Sequence, residues 1–300
     1  MSEPTAIEAE PARPLDAFQA ERRYLGSVAY RLLGSVADAE DVLQDAWLRW
    51  QATDRAAVTD PRAYLTTVVT RLCYDQLGSA RARREAYVGE WLPEPVLTSL
   101  DSPAEQAELG EAVSVAMLAV MEQLTPAERA AFVLHDVFAV GFEEIASALD
   151  RSPEATRQLA SRARRRVRDG GRRTTVDRAV HRRVVSAFTA AAVGGNLTAL
   201  LEMLDPEVAW HADGGGVVNA VRRPVFGTVG VGRLLRKFTE RAVSAERPLV
   251  PVLVNGEPGA VWYSAPGVVG AVLAFTVVEG LITDFYVMVN PEKLTHLATV

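Results

Sequence analysis

Between Leu124 and Arg168 the chain opens three helices in quick succession, and this stretch limits the possible folds more than any other. In Leu124-Thr125-Pro126-Ala127-Glu128-Arg129, Thr125 caps, Pro126 takes the first helical position and Glu128 follows the cap by three residues, as in a capping box. Ala131, Phe132, Leu134 and His135 continue that helix. Gly141-Phe142-Glu143-Glu144-Ile145-Ala146 opens a short helix ending near Leu149, and after Asp150-Arg151 the pair Ser152-Pro153 opens another. Helix, tight turn, helix is the arrangement that lays a second helix in the DNA major groove. On that second helix Ala155, Thr156, Leu159 and Ala163 form a small apolar face for packing on Ile145 and Leu149. Glu154, Arg157, Gln158, Ser161, Arg162 and Arg165 point elsewhere, with groups suited to phosphates and base edges.

The overall charge of −6 hides this basic face. Arg151 to Arg173 holds nine arginines against Glu154 and Asp169, a local +7, inside a first part (residues 1–177) that nets −7. Charge alone would fit a solvated helix equally well; the helix-turn-helix pattern beneath it shifts the balance to nucleic acid.

Composition divides the 300 residues into segments. Residues 1–14 read as a disordered, acidic, proline-containing tail with no secretory signal. Residues 15–87 are helical in pattern. Residues 88–110, with Gly89, Pro93, Pro95, Ser99, Asp101, Ser102 and Pro103, read as a linker. Residues 111–170 form the second helical module, and Asp169-Gly170-Gly171-Arg172-Arg173-Thr174-Thr175 a hinge. Residues 177–300 read as α+β, with one or two helices and then strand-like runs Pro248–Asn255, Ala260–Ser264, Val268–Val278 and Leu281–Val289. Glu279-Gly280 makes a hairpin turn between the last two. The longest apolar run, Val268–Val278, is about half a bilayer span, so no membrane segment is expected. The single cysteine, Cys73, excludes an internal disulfide and a cysteine-rich zinc site and reads as a small buried residue. No metal-ligand spacing and no cofactor motif is present.

In the first module, Val42, Leu43, Ala46, Trp47 and Trp50 make a buried helical face. Asp41, Gln44, Asp45 and Leu48 lie opposite, an acidic strip with an outward leucine that suggests a partner surface. Ser35 or Asp38 caps this helix. Asp60-Pro61 starts the next, whose apolar stripe Tyr64, Leu65, Val68, Val69, Leu72 and Cys73 runs into Arg81, Arg83 and Arg84. These cations would suit phosphates, and Tyr64 or Tyr74 could stack on an unpaired base, although core packing is favoured for both. Gly78, about 1 kcal/mol worse than Ala inside a helix, marks an expected break or bend.

These residues resemble bacterial sigma factors of the extracytoplasmic-function class over residues 15–170. ADAEDVLQDAWL looks like the polymerase-binding helix of region 2, and PRAYLTTVVTRLCYDQLGSARARRE like its promoter-melting part. LTPAERAAFVLHDVF, FEEIASAL and SPEATRQLASRARRRV look like region 4. The resemblance implies that Asp41, Gln44, Asp45 and Leu48 meet core RNA polymerase, with the β′ clamp helices and the β subunit as partners. It also implies that Arg71, Arg81, Arg83 and Arg84 serve the −10 element, and that the outward residues of the Ser152 helix read the −35 element of promoter DNA. Gly78 stands where related sequences often have Arg.

Residues 177–300 resemble the SnoaL-like fold, a curved sheet and helices around a conical pocket, as in the sigma subfamily that carries this domain in cis. Helices from Val180 to Met203, a strand at Val208–Ala212 and a helix at Arg233–Arg241 fit that order. Three marks of the subfamily are present: Trp91-Leu92-Pro93-Glu94-Pro95, Asp213-Gly214-Gly215-Gly216 and Asn290-Pro291-Glu292-Lys293-Leu294. Val217 takes the place of the lysine that usually follows the glycines. The linker prolines are stiff and Trp91 is a large apolar anchor, so the linker is expected to dock into the C-terminal domain and fix the relative arrangement of the two DNA-binding modules. The NPEKL tail is expected to join that contact.

The chain therefore reads as a cytoplasmic sigma factor, not an enzyme, with two all-α sigma modules and an α+β SnoaL-like domain that regulates in cis. The alternative is a one-component regulator that binds DNA and senses a small ligand in the C-terminal pocket, but this leaves the acidic helix unexplained. A pocket enzyme using His211 and Asp213, which share a strand face, is a weaker reading.

Overall fold

The computed structural model describes residues 14–85, 87–98, 113–170, 177–244 and 249–297. The tail at 1–13, the second half of the linker and the hinge at 171–176 lie outside the described residues.

Three helices, α1 (Pro14–Leu33), α2 (Val36–Gln51) and α3 (Pro61–Glu85), form the first module. Ser35 caps α2 by accepting from the Asp38 amide. Of the break or bend expected near Gly78, the break is absent: α3 runs through it, because its exposed side meets nothing within 4 Å and loses no packing there. The second module holds α4 (Val115–Met121), α5 (Pro126–Phe132), a π-turn at Val133–Val137, α6 (Phe142–Leu149) and α7 (Pro153–Gly170). The capping box at Thr125 and Glu128 is formed in both directions. Asp150 takes a left-handed conformation (φ 53°, ψ 54°) in the turn between α6 and α7. Ser152 then accepts from the Ala155 amide to start the second helix of the helix-turn-helix.

The two modules are not separate bodies. One apolar core joins Leu25, Leu32, Leu65, Val69 and Cys73 of α1 and α3 to Leu118 and Met121 of α4, Ile145 and Leu149 of α6 and Ala163 of α7.

The C-terminal part contains α8 (Arg178–Val193), α9 (Leu197–Glu202), α10 (Thr228–Ser244) and a seven-stranded sheet. Its strands are β1 (Leu97–Thr98), β2 (Leu204–Asp213), β3 (Val225–Phe226), β4 (Leu249–Val254), β5 (Glu257–Ala265), β6 (Val268–Val278) and β7 (Leu281–Met288), in the order β1-β4-β5-β6-β7-β2-β3. All neighbours pair antiparallel except β2 and β7. The hairpin at Glu279-Gly280 has positive φ at both residues (52° and 83°). β1 comes from the linker: Leu97 pairs with Val254 and Thr98 with Leu253.

Both faces of the sheet are covered, which explains its nearly unbroken apolar strands. One face packs on Val185, Phe188, Leu200, Val231 and Leu235 of the helices. Phe188, Trp210, Phe275 and Phe285 pack together in this layer, with contacting ring centroids 5.1 to 5.5 Å apart. The opposite face, with Val252, Val261, Val272 and Met288, packs on Leu92 of the linker, on Val115 and Ala116 of α4, and on Leu294. Helix α4 is therefore held between the first module and the C-terminal sheet.

Candidate functional site

The three subfamily marks meet at one place. Asp213 ends β2 opposite Met288 at the end of β7, so the strand register puts the aspartate next to the turn that opens at Asn290. The Gly215 and Gly216 backbones are left-handed (φ 65° and 74°). A Cβ on Gly215 would lie 2.5 Å from the Asn290 side chain, and one on Gly216 3.0 Å from Val88, so only glycine admits both approaches.

The Asp213 side chain is 0% exposed and uses both oxygens. Oδ1 accepts from the Tyr87 hydroxyl at 2.6 Å and the Gly215 amide at 3.1 Å. Oδ2 accepts from the Leu92 amide at 2.9 Å and from Lys293 Nζ at 2.7 Å. Lys293 also donates to the Leu92 carbonyl at 2.5 Å and lies 3.7 Å from the Trp91 ring centroid. Asn290 Nδ2 donates to the Tyr87 oxygen at 2.8 Å, and its Oδ1 accepts from the Glu292 amide. Burial, reinforced by the adjacent Asp213, pushes the Tyr87 phenol well above its ordinary range. A buried ion pair is costly unless its remaining hydrogen-bonding capacity is met, and here the linker meets it.

A second charged contact lies two residues back on β2. His211 Nδ1 is 2.7 Å from Glu90 Oε1 of the linker, Nε2 is 3.7 Å from Asp284 Oδ1, and the ring stacks on Tyr286 at 5.0 Å. Burial pulls this imidazole down, but the two carboxylates outweigh it and hold its pKa up at about 9. His296 bonds the Pro95 carbonyl at 2.9 Å. His211 and Asp213 thus both bond to the same linker. Val217 is 67% exposed.

From this clamp the linker reaches the α1–α2 turn. Trp91 packs on Gly34, whose φ of 69° and near neighbours (Trp91 at 3.0 Å, Glu122 at 3.2 Å, Arg129 at 3.3 Å from a built Cβ) exclude a side chain. Arg129 of α5, 2% exposed, donates to the Arg31 carbonyl at the end of α1 and pairs with Glu122.

Among the sequence-predicted residues, Asp41, Gln44, Asp45 and Leu48 are exposed on one face of α2, Leu48 by 55%. Arg71 of α3 donates to the Ser147 carbonyl of α6 at 2.9 Å, across the two modules. Arg81, Arg83 and Arg84 lie in the last turns of α3, with side chains outside the described residues. Tyr64 packs on Trp50 and bonds the Thr53 hydroxyl, and Tyr74 packs on the core. On α7, Gln158, Ser161 and Arg165 are exposed. Arg157 pairs with both Glu143 and Glu154, each at 3.1 Å. Arg162 and Arg166 pair with the buried Glu128 at 3.4 and 2.5 Å. Burial raises the Glu128 carboxyl, but Thr125 and these arginines win and hold it below its usual range.

Sequence reasoning missed Tyr87, Glu90, Arg129 and Asn255 as contact residues. Glu90 adjoins the WLPEP motif, and Asn255-Gly256 is a readable turn, but nothing local shows what they touch. Among the described residues no group of three or more His, Cys, Asp or Glu could hold a metal, and no helix is long and apolar enough to cross a membrane.

Replacing Lys293 by Met leaves Asp213 buried without its cation and should lower the unfolding free energy by about 3 kcal/mol in urea titrations, whereas the exposed Lys237→Met should change it by less than about 0.5 kcal/mol. The His211 pKa lies above its unfolded value of about 6.5, so its contribution is complete below that pH and is lost as pH rises through about 9. Melting curves of the native protein should therefore decline over that window relative to His211→Gln. Parallel curves would show that the histidine does not carry the contact.

Comparisons with known proteins agree with this architecture. The sigma-70 region 2 family matches residues 17–83 and the sigma-70 region 4 family residues 114–167. The ECF RNA polymerase sigma factor SigJ of Mycobacterium tuberculosis is 43% identical over 290 residues, covering 93% of this chain and 92% of that protein. The crystal structure of the M. tuberculosis extracytoplasmic function sigma factor SigJ aligns with a TM-score of 0.76 at 40% identity, covering 93% of this chain and 97% of that one. With both sigma regions matched and the likeness running on through the C-terminal domain, the chain belongs to the extracytoplasmic-function RNA polymerase sigma factors.

Proposed function

We propose that this sigma factor directs core RNA polymerase to its promoters under the control of its own C-terminal domain, which holds the two DNA-binding modules together through the linker. One observation carries the reading: the acidic face of α2 is open, while Arg71 and the shared core tie region 2 to region 4. In this arrangement Asp41, Gln44, Asp45 and Leu48 can meet the β′ clamp helices. Arg71, with Arg81, Arg83 and Arg84, would reach the −10 element once the modules separate. Gln158, Ser161 and Arg165 stand free on the outer stripe of α7 for −35 bases, with Glu154 beside them. Arg157 and Arg162, held at the flanks by carboxylates, suit phosphates. The C-terminal domain acts as a regulator through its contacts with the linker. RNA polymerase would place this work in the bacterial cytoplasm.

Reconstitution with purified core polymerase tests the reading. The full chain should start promoter-dependent transcription, and Asp41→Ala with Gln44→Ala should reduce it at least tenfold. Truncation before Asn290, which removes Lys293, should raise output per bound polymerase. Equal output from the full chain, from this truncation and from one ending before Asp177 would remove the regulatory role.

A further inference from the structure

The first amides of a helix have no partner within it, and an anion placed there also meets the positive end of the helix dipole. Ser35 serves the Asp38 amide of α2 at 3.1 Å, which leaves the amides of Val36 and Ala37. Glu94, 58 residues along the chain, supplies the missing acceptor: Oε2 accepts from Val36 at 2.6 Å and from Ala37 at 3.4 Å. Oε1 accepts from the Ser35 hydroxyl at 2.9 Å, so the local cap and the linker carboxylate are bonded to each other.

Glu94 is itself fixed from two sides. Its amide donates to the Gly34 carbonyl at 2.9 Å, and its carbonyl accepts from the Tyr30 hydroxyl at 2.7 Å. The Tyr30 oxygen accepts from Asn255 Nδ2 at 2.7 Å. Asn255 lies in the β4–β5 turn of the C-terminal domain with φ 52°, and pairs with both polar backbone groups of Val96. An unbroken hydrogen-bonded path therefore runs from that turn through Tyr30 and Glu94 to the start of α2.

We propose that Glu94 is a positioning residue for polymerase binding: supplied by the linker and seated by Asn255 through Tyr30, it completes the cap of the helix that presents Asp41, Gln44, Asp45 and Leu48. This rests on the reading of α2 as the polymerase-binding helix and adds to it a route by which docking of the C-terminal domain is felt at that surface. The contact is made by the linker motif, yet it acts on region 2 and not on the domain that clamps the motif.

The test uses the full chain with Glu94→Ala, Glu94→Gln and Asn255→Ala, and reads amide hydrogen exchange in α2 together with the Kd for core polymerase. Glu94→Ala should raise exchange at Val36 and Ala37 at least tenfold while Asp38, still served by Ser35, changes less. Its Kd should weaken about fivefold, the equivalent of one lost cap. Glu94→Gln keeps one acceptor oxygen and should fall between. Asn255→Ala should weaken binding in the native background and add nothing to Glu94→Ala. Val36 exchange within twofold of native in both Glu94 variants would overturn the capping role. Raised exchange with unchanged Kd would overturn the positioning role while leaving α2 as the polymerase surface. Failure of the native chain to bind core polymerase would instead overturn the reading on which the proposal rests, whatever the exchange shows.

Discussion

The Asp213–Lys293 pair is buried, where a charge left without its partner is costly. Beside the Gly215 amide of its own domain, its remaining valences are met by groups from outside the C-terminal domain: the Leu92 amide and carbonyl, the Trp91 ring and the Tyr87 hydroxyl. The pair is thus complete only when residues 87–92 are seated on it. An ordinary salt bridge would stabilise one domain; this one makes the docking of a linker the condition for its own stability.

Once the linker is seated, the rest of the arrangement follows from chain continuity. Leu92 enters the apolar layer on the outer face of the sheet, Trp91 meets Gly34, and Leu97-Thr98 extends the sheet as β1. The same face receives α4, whose other side belongs to the helical core. Region 4 is thereby drawn against region 2, with Arg129 and Arg71 bonded to carbonyls of the neighbouring module. In the proposed reading this state leaves the polymerase-facing strip of α2 open and keeps the DNA-facing surfaces at a fixed separation until the linker is released.

Much of the fold was legible because it follows local rules. The Thr125 and Ser152 caps, the Glu279-Gly280 hairpin and the periodicity of α2 each specify their element within a few residues. The three motifs were legible only through the resemblance; the docking of the linker and the NPEKL tail on the C-terminal domain was expected, but the convergence on Asp213 was not, since it depends on the parallel register of β2 with β7. Gly78 shows the converse: propensity suggests a break, but an exposed glycine deep inside a long helix costs too little to stop it. The packing of Phe188, Trp210, Phe275 and Phe285 on one another brings together residues far apart in the chain, in a way no local pattern reveals. Long-range polar partners, such as Asn255 for Tyr30 or Glu128 for Arg162 and Arg166, carry no sequence signal at all.

The central claim is that the buried pair, acting through the linker, keeps the two helical modules together. Double electron–electron resonance between spin labels on Gln51→Cys and Arg168→Cys, both exposed and on different modules, measures this directly. The native background should give one narrow distance distribution, and Asp213→Ala a broader one shifted to longer distances. A broad distribution already present in the native background, or one that Asp213→Ala leaves unchanged, would contradict the account.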